Sequence, residues 1–208
     1  MKIQPKAMVE AGYDAIADTF AEWSRRVVDP GRDRLLADVR SRLEPGSTVL
    51  DLGCGSGVPT TLALAEAFQV TGVDISEVQL ERARRNVPGA TFIHGDMATV
   101  DFPASSFDGV TAFHSLSHLP REEHAALLTR IGRWLRPAGL LLVTMSARGS
   151  ADWTGEWLGT EMFFSGFDAA ENRRLVETAG FELLVADVIE AVEPEGAVPF
   201  LWVLGRKT

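Results

Sequence analysis

The stretch Val49-Leu50-Asp51-Leu52-Gly53-Cys54-Gly55-Ser56-Gly57 sets a carboxylate ahead of three glycines in alternate positions. Glycines at a strand-to-helix turn permit positive φ and let a ligand lie against bare backbone. The helix beyond such a turn offers free N–H groups. A dinucleotide fingerprint GxGxxG counted from Gly53 needs its third glycine at position 58, which is Val58. No GK[ST] follows, so a phosphate-cradling P-loop is excluded as well. Asp51 is a poor neighbour for pyrophosphate and a good one for an ammonium group. The ligand implied is uncharged in its linker and carries a cationic amino-acid end. Further on, Gly72-Val73-Asp74-Ile75 closes a strand on a carboxylate that can accept two hydrogen bonds from a ribose diol. Gly95-Asp96-Met97 then puts a carboxylate beside an apolar side chain, which suits the amine and ring face of adenine. Together these residues describe an adenosine site extended by an amino-acid tail.

The elements that position them alternate between helical and strand patterns, as in a parallel α/β sheet. Tyr13, Ile16, Phe20, Trp23 and Val27 recur at spacings of three and four, predicting one amphipathic helix over 12–28 that stops at Asp29-Pro30-Gly31. A second helix is expected over 32–43. Strands are expected at 47–52, 70–75, 91–94, 107–113 and 139–145. Helices are expected from about Pro59, over 77–86, 121–135 and 168–179. Two terminal runs, 181–189 and 198–205, flank Glu193-Pro194-Glu195-Gly196 and predict an antiparallel hairpin. No repeat or linker interrupts this order, so 1–208 is expected to form one domain.

Charge and composition narrow the partners. The chain has 208 residues, with 20 basic against 29 acidic side chains and a net charge of −9. It has no basic stripe, which disfavours nucleic acid as a partner. Cys54 is the single cysteine, so no intramolecular disulfide forms, and no CxxC pair offers the usual structural zinc site. The residues from Met1 to Pro5 show no secretory h-region, and the apolar run Ala138 to Met145 is far shorter than the ~18 residues a membrane span needs. A cytoplasmic protein without a membrane partner is expected.

The sequence resembles the class I S-adenosylmethionine-dependent methyltransferases, in the branch acting on small molecules. The resemblance rests on VLDLGCGSG (49–57), VTGVDIS (70–76), IHGDMATVDFP (93–103), FDGVTAFHSLSHLP (107–120) and WLRPAGLLLVT (134–144), in the family's order and spacing. It implies a Rossmann-like, mostly parallel α/β sheet of seven strands in the order 3-2-1-4-5-7-6, the last antiparallel, with helices on both faces. It implies S-adenosyl-L-methionine as cofactor, S-adenosyl-L-homocysteine as product and a small-molecule acceptor. Asp51, Gly53, Gly55 and Gly57 would line its methionine part, Asp74 its ribose, and Asp96, Met97 and Ile75 its adenine. Phe113 would lie near the transferring methyl, or belong to the core. Tyr13 matches a lid helix, so 1–45 is expected to cover the cofactor. Ala138 departs from the family's usual glycine, away from the site.

A general base is needed only where the acceptor keeps its proton. His114 and His118 follow the fourth strand, at the sheet edge where such folds bind ligands. Each is either a base or an orienting, loop-packing group. His94 reads as structural and His124 as a solvated helix residue. The insert 146–167 holds Trp153, Trp157, Met162, Phe163, Phe164 and Phe167. It is expected either to build an apolar or aromatic acceptor pocket, as a lid, or to bury itself against the sheet. Three functions follow. The first is methyl transfer to oxygen, nitrogen or carbon of a small molecule, and the second is a cofactor-binding regulator or scaffold without transfer. The third, a nicotinamide oxidoreductase, is opposed by Val58. The fourth strand is not followed by [DN]PP[FY], which argues against methylation of adenine or glutamine amides.

Overall fold

The computed structural model describes residues 4–208. Helix α1 (Pro5–Ala15) begins with proline at its first turn, and α2 (Ala17–Ser24) follows after a break at Ile16. The expected single helix over 12–28 is therefore two, and it starts earlier. Gly12 lies inside α1, where a Cβ would meet the Met162 methyl at 2.8 Å. Its glycine allows close helix–strand approach and does not mark a helix start.

Helix α3 (Pro30–Arg42) is capped by Asp29, whose carboxylate accepts from the Arg32 N–H at 3.3 Å. Asp29-Pro30 is thus a cap and first-turn pair as well as a stop. Along the chain come β1 (Thr48–Leu52), α4 (Thr60–Ala65), β2 (Gln69–Asp74), α5 (Glu77–Asn86), β3 (Thr91–His94) and β4 (Phe107–Ala112). A 3-10 turn at Leu116–His118 leads to α6 (Arg121–Trp134) and the long β5 (Leu135–Ser146). The segment expected as an insert is a hairpin of β6 (Ser150–Trp157) and β7 (Thr160–Gly166). Helix α7 (Ala169–Thr178), β8 (Phe181–Glu193) and β9 (Gly196–Lys207) complete the chain.

The main sheet runs β3-β2-β1-β4-β5-β9-β8. With the separate β6–β7 hairpin set aside, this is the expected seven-strand order. β1 pairs in parallel with β2 and β4, β2 with β3, and β4 with β5. Only β9 runs against its neighbours. Strand alternation divides the core. Leu50 and Leu52 point to one face with Leu127, Leu128 and Ile131 of α6 and Val176 of α7. Val49 points to the other, with Leu35 and Val39 of α3 and Leu64 of α4. Asp51 shares the Val49 side at the strand's carboxyl end, beside α4. The reversal between β1 and β4 opens the crevice where such sheets bind ligands. No helix among the described residues is long and apolar enough to cross a membrane.

Candidate active site

One cavity of about 530 Å³ lies at the carboxyl ends of β1, β2, β4 and β5. That is within the ~300–1,000 Å³ range of small-molecule sites. Its floor is the glycine turn. The N–H groups of Gly53 and Cys54 donate to the Val73 carbonyl at 2.8 and 3.1 Å, pulling the turn onto β2. Gly53 has φ +71°, and a Cβ there would collide with Ser115. Ser115 in turn donates from its hydroxyl to the Leu52 carbonyl at 2.9 Å. The tip of β4 is thereby held against the turn.

Two carboxylates stand beside this floor. Asp51 is 2% exposed and accepts from the hydroxyls of Thr61 at 2.6 Å and Thr111 at 2.8 Å. Asp74 is 9% exposed and accepts from the backbone N–H of Gly55 at 2.7 Å and of Ser76 at 2.9 Å. Burial pushes the Asp51 carboxyl up to about 6, against the pull of its two threonines and with the help of Asp74's charge. Burial raises Asp74 as well, against its backbone hydrogen bonds. Among the described residues neither carboxylate has a lysine or arginine in an ion pair. A cation entering the cavity would relieve both. Cys54, between the glycines, is buried and its thiol is pushed well above its ordinary range, chiefly by desolvation. It is no thiolate nucleophile.

The expected site residues are largely brought together. Tyr13, Asp51, Gly53, Gly55 and Asp74 line the cavity, as do Ile75, Met97, Phe113, His114 and His118. Gly57 stands behind the wall, where a Cβ would press on Val87 at 3.1 Å, and it serves the approach of α5. Asp96 faces an adjoining small recess with Val9, Ile75 and Met97. One of its oxygens accepts from the Ala98 N–H at 2.8 Å, and the other lies 2.7 Å from the Lys6 ammonium. Lys6 also reaches Glu123 at 2.8 Å, so an ion-pair bridge pins α1 over this recess. Phe113 packs on Trp202 with ring centroids 5.2 Å apart while still lining the cavity.

The histidines divide sharply. His118 is 7% exposed, with Nε2 2.8 Å from the Tyr13 hydroxyl and Nδ1 2.9 Å from the Phe163 carbonyl. A carbonyl only accepts, so Nδ1 carries the proton and the Tyr13 hydroxyl donates to Nε2. Burial lowers His118 to about 4, and it raises the Tyr13 phenol. His114 meets Asp29, with Nε2 2.9 Å from the carboxylate. His94 holds the Ile75 carbonyl at 2.8 Å. His124 is not solvated as expected: it is 2% exposed. In the phase of α6 it falls with Leu127, Leu128 and Ile131, three, four and seven residues on. Asp29 is the site residue that sequence reasoning missed. Its signal was the Asp-Pro pair before a helix, which reveals a cap but not the histidine across the chain.

Above the floor, aromatic rings from three segments close the cavity. Trp157 of β6 lies 5.4 Å from Trp23, 5.9 Å from Phe20 and 5.7 Å from Phe164, between ring centroids. Trp157 and Phe164 face the cavity. Met162 and Phe163 instead pack with Val9 and Ile16 of the N-terminal segment. Trp153 lies outside, 45% exposed. Among the described residues no group of three or more His, Cys, Asp or Glu side chains is placed to hold a metal ion.

Architecture and site define a doubly wound α/β protein whose switch-point crevice holds two buried carboxylates without a lysine or arginine partner among the described residues. Residues 49–139 match the family described as a methyltransferase domain. Those residues carry the methyltransferase-domain pattern, and the chain is similar to proteins named as S-adenosylmethionine-dependent methyltransferases. Among proteins it is similar to, 27-O-demethylrifamycin SV methyltransferase of Amycolatopsis mediterranei is 33% identical over 151 residues, 62% of this chain and 55% of that protein. O-methyltransferase cnsE of Penicillium expansum is 34% identical over 175 residues, 78% of this chain and 63% of that protein. The chain spans about half the length of the curated relatives it matches. The crystal structure of magnesium protoporphyrin IX methyltransferase from Synechocystis, with bound S-adenosylmethionine, superposes with a TM-score of 0.74 at 17% identity. That match covers 100% of this chain and 99% of the other, and it is a likeness of fold.

Proposed function

We propose that the chain transfers a methyl group from S-adenosylmethionine to a small, apolar or aromatic acceptor by in-line displacement. The observation that carries this reading is the pair of buried carboxylates, Asp51 and Asp74, with no cation of their own beside a bare glycine turn. The donor supplies a methyl group already activated on a sulfonium, together with an ammonium that answers the negative field. Asp51 and the backbone of Gly53 and Gly55 hold its amino-acid end. Asp74 accepts from the Gly55 and Ser76 N–H groups on different oxygens, and a carboxylate's remaining lone pairs can take the ribose hydroxyls. Ile75 and Met97 flank the adenine face, and Asp96 takes its amine.

The chain's part in the chemistry is mainly to hold two reactants in line and dry. In favourable systems such positioning is worth ~7–11 kcal/mol. Helices α1 and α2 act as the cover, tied down by the Tyr13–His118 hydrogen bond and the Lys6 bridge. The β6–β7 hairpin supplies Trp157 and Phe164 as the acceptor wall. The relatives' names support the acceptor class, one being named for an O-demethylated rifamycin and another as an O-methyltransferase. The test is to incubate the protein with methyl-labelled S-adenosylmethionine and a panel of aromatic alcohols and amines. Label in a product with matching S-adenosylhomocysteine is the expected result. Tight binding with no turnover on any acceptor would favour the regulator or scaffold reading.

A further inference from the structure

We propose that His114, oriented by Asp29, is the proton acceptor of this site, and that its substrate is therefore a hydroxyl on a flat, apolar molecule. This rests on the methyltransferase reading of the same cavity and adds to it the acceptor's chemical class. Asp29 is 3% exposed, yet it comes from the segment between α2 and α3, far in sequence from the strand tips. One of its oxygens caps α3 and the other lies 2.9 Å from His114 Nε2. A carboxylate only accepts, so in neutral His114 the proton sits on Nε2 and the lone pair on Nδ1. Nδ1 has no hydrogen-bond partner among the described residues, and the ring lies in the cavity wall.

The ring is built into place. His114 takes a left-handed φ of +54°, an unfavourable conformation for a residue with a Cβ. Its edge sits against Phe200 at 4.5 Å and Trp202 at 5.8 Å, between ring centroids. The next residue, Ser115, is the one wedged on Gly53. His114 is thus fixed next to the residue that packs on the glycine turn. His118 offers no such lone pair, because Tyr13 and the Phe163 carbonyl use both its nitrogens. The charged groups around His114 are Asp29 and Arg32 at the start of α3 and Glu193 at the end of β8, with Arg148 lining the same chamber. Burial works against the Asp29 charge, and the hydrogen bonds from His114 and the Arg32 backbone, with the Arg32 charge, outweigh it, holding Asp29 below the usual carboxylate range.

An amine that already carries a lone pair, or a carbanion, needs no such device. A hydroxyl does, since it must lose its proton as it becomes an ether. As the acceptor oxygen attacks, the O–C bond forms and the C–S bond breaks with its electron pair going to sulfur. The hydroxyl proton passes to Nδ1 of His114. Asp29 steadies the imidazolium without taking the proton, which later leaves to water. His114 is then the catalytic residue and Asp29 a positioning residue. The walls of Trp157, Phe164 and Phe200 select a flat apolar skeleton.

The test uses 4-nitrophenol as a probe, added to protein saturated with S-adenosylhomocysteine, whose binding is followed separately by calorimetry. The visible phenolate band reads the proton directly. The expected result is saturable binding, with half-ionisation of the bound probe about one pH unit or more below that of the free probe. Asp29→Asn, which keeps the helix cap, should shrink that shift, and His114→Gln should abolish it while the protein still binds S-adenosylhomocysteine. In Trp153→Ala, outside the cavity, the shift should persist. Absence of probe binding, binding without a shift, or a shift surviving in both Asp29→Asn and His114→Gln overturns the proposal. If S-adenosylhomocysteine itself fails to bind, the underlying methyltransferase reading falls with it. If it binds normally and the shift is absent, only the base and its hydroxyl substrate fall.

Discussion

Asp51→Asn separates the cost of the site from its use. In the unliganded protein the carboxyl is displaced from an ordinary value of 3.8 to about 6, chiefly by burial. Two units at ~1.36 kcal/mol each amount to about 3 kcal/mol against the folded, ionised state at pH 8. Because the folded carboxyl holds its proton more tightly than the unfolded one, its contribution is most favourable below about pH 4 and is lost as pH rises through about 6. Asparagine keeps the shape. The hydroxyls of Thr61 and Thr111 can donate or accept, so the amide finds a partner on each side. Urea denaturation should therefore show Asp51→Asn more stable than the parent by up to about 3 kcal/mol at pH 8, and by about half that at pH 5. Calorimetry should show its affinity for S-adenosylmethionine reduced by about 10- to 100-fold, the worth of a charge-assisted contact. A variant less stable at pH 8, with unchanged affinity, would refute the assignment of Asp51 as an uncompensated charge awaiting a cation.

Other substitutions probe separate parts of the site. Gly53→Ala combines the left-handed φ of +71° with a collision on Ser115, so it should lose at least ~2 kcal/mol in urea denaturation and most cofactor binding. His118→Ala leaves the Tyr13 hydroxyl and the Phe163 carbonyl unpartnered and should cost about 2–4 kcal/mol at pH 7. His118 is held neutral down to about 4, so its contribution is present above the ordinary histidine range and is lost as pH falls through about 4. The gap between parent and His118→Ala should accordingly narrow between pH 7 and pH 4.5. Trp157→Ala opens the ring cluster of Phe20, Trp23 and Phe164 and should weaken acceptor binding. Its affinity for S-adenosylhomocysteine should stay within about threefold, and a larger loss would place Trp157 on the cofactor.

The floor of the site was readable because it is local. Asp51 and its glycines occupy seven consecutive positions, and Asp74 closes a strand whose β-rich pattern is self-contained. Strand order followed from the resemblance, and the structure bears it out. The β6–β7 hairpin escaped notice because its two-residue turn is Leu158-Gly159, with φ of +51° and +87°. Such a turn is ordinarily announced by Asn-Gly or Asp-Gly, and leucine hides it. His124 was misplaced because the charged start of α6 outweighed its helical phase. Asp29 to His114 and Lys6 to Asp96 are contacts across 85 and 90 residues. Their partners are fixed by packing of α1 and α3 over the strand tips, which no local pattern encodes.

A buried carboxylate at the glycine turn, Asp51, is partly protonated near pH 6 and poised for a cationic ligand. Titration calorimetry with S-adenosylmethionine at pH 6, repeated in buffers of different ionisation enthalpy, reads this directly. With Asp51 near half-protonation, binding should release about half a proton per site, falling toward zero at pH 8. Binding with no proton release at pH 6, or no binding at millimolar ligand, would contradict it.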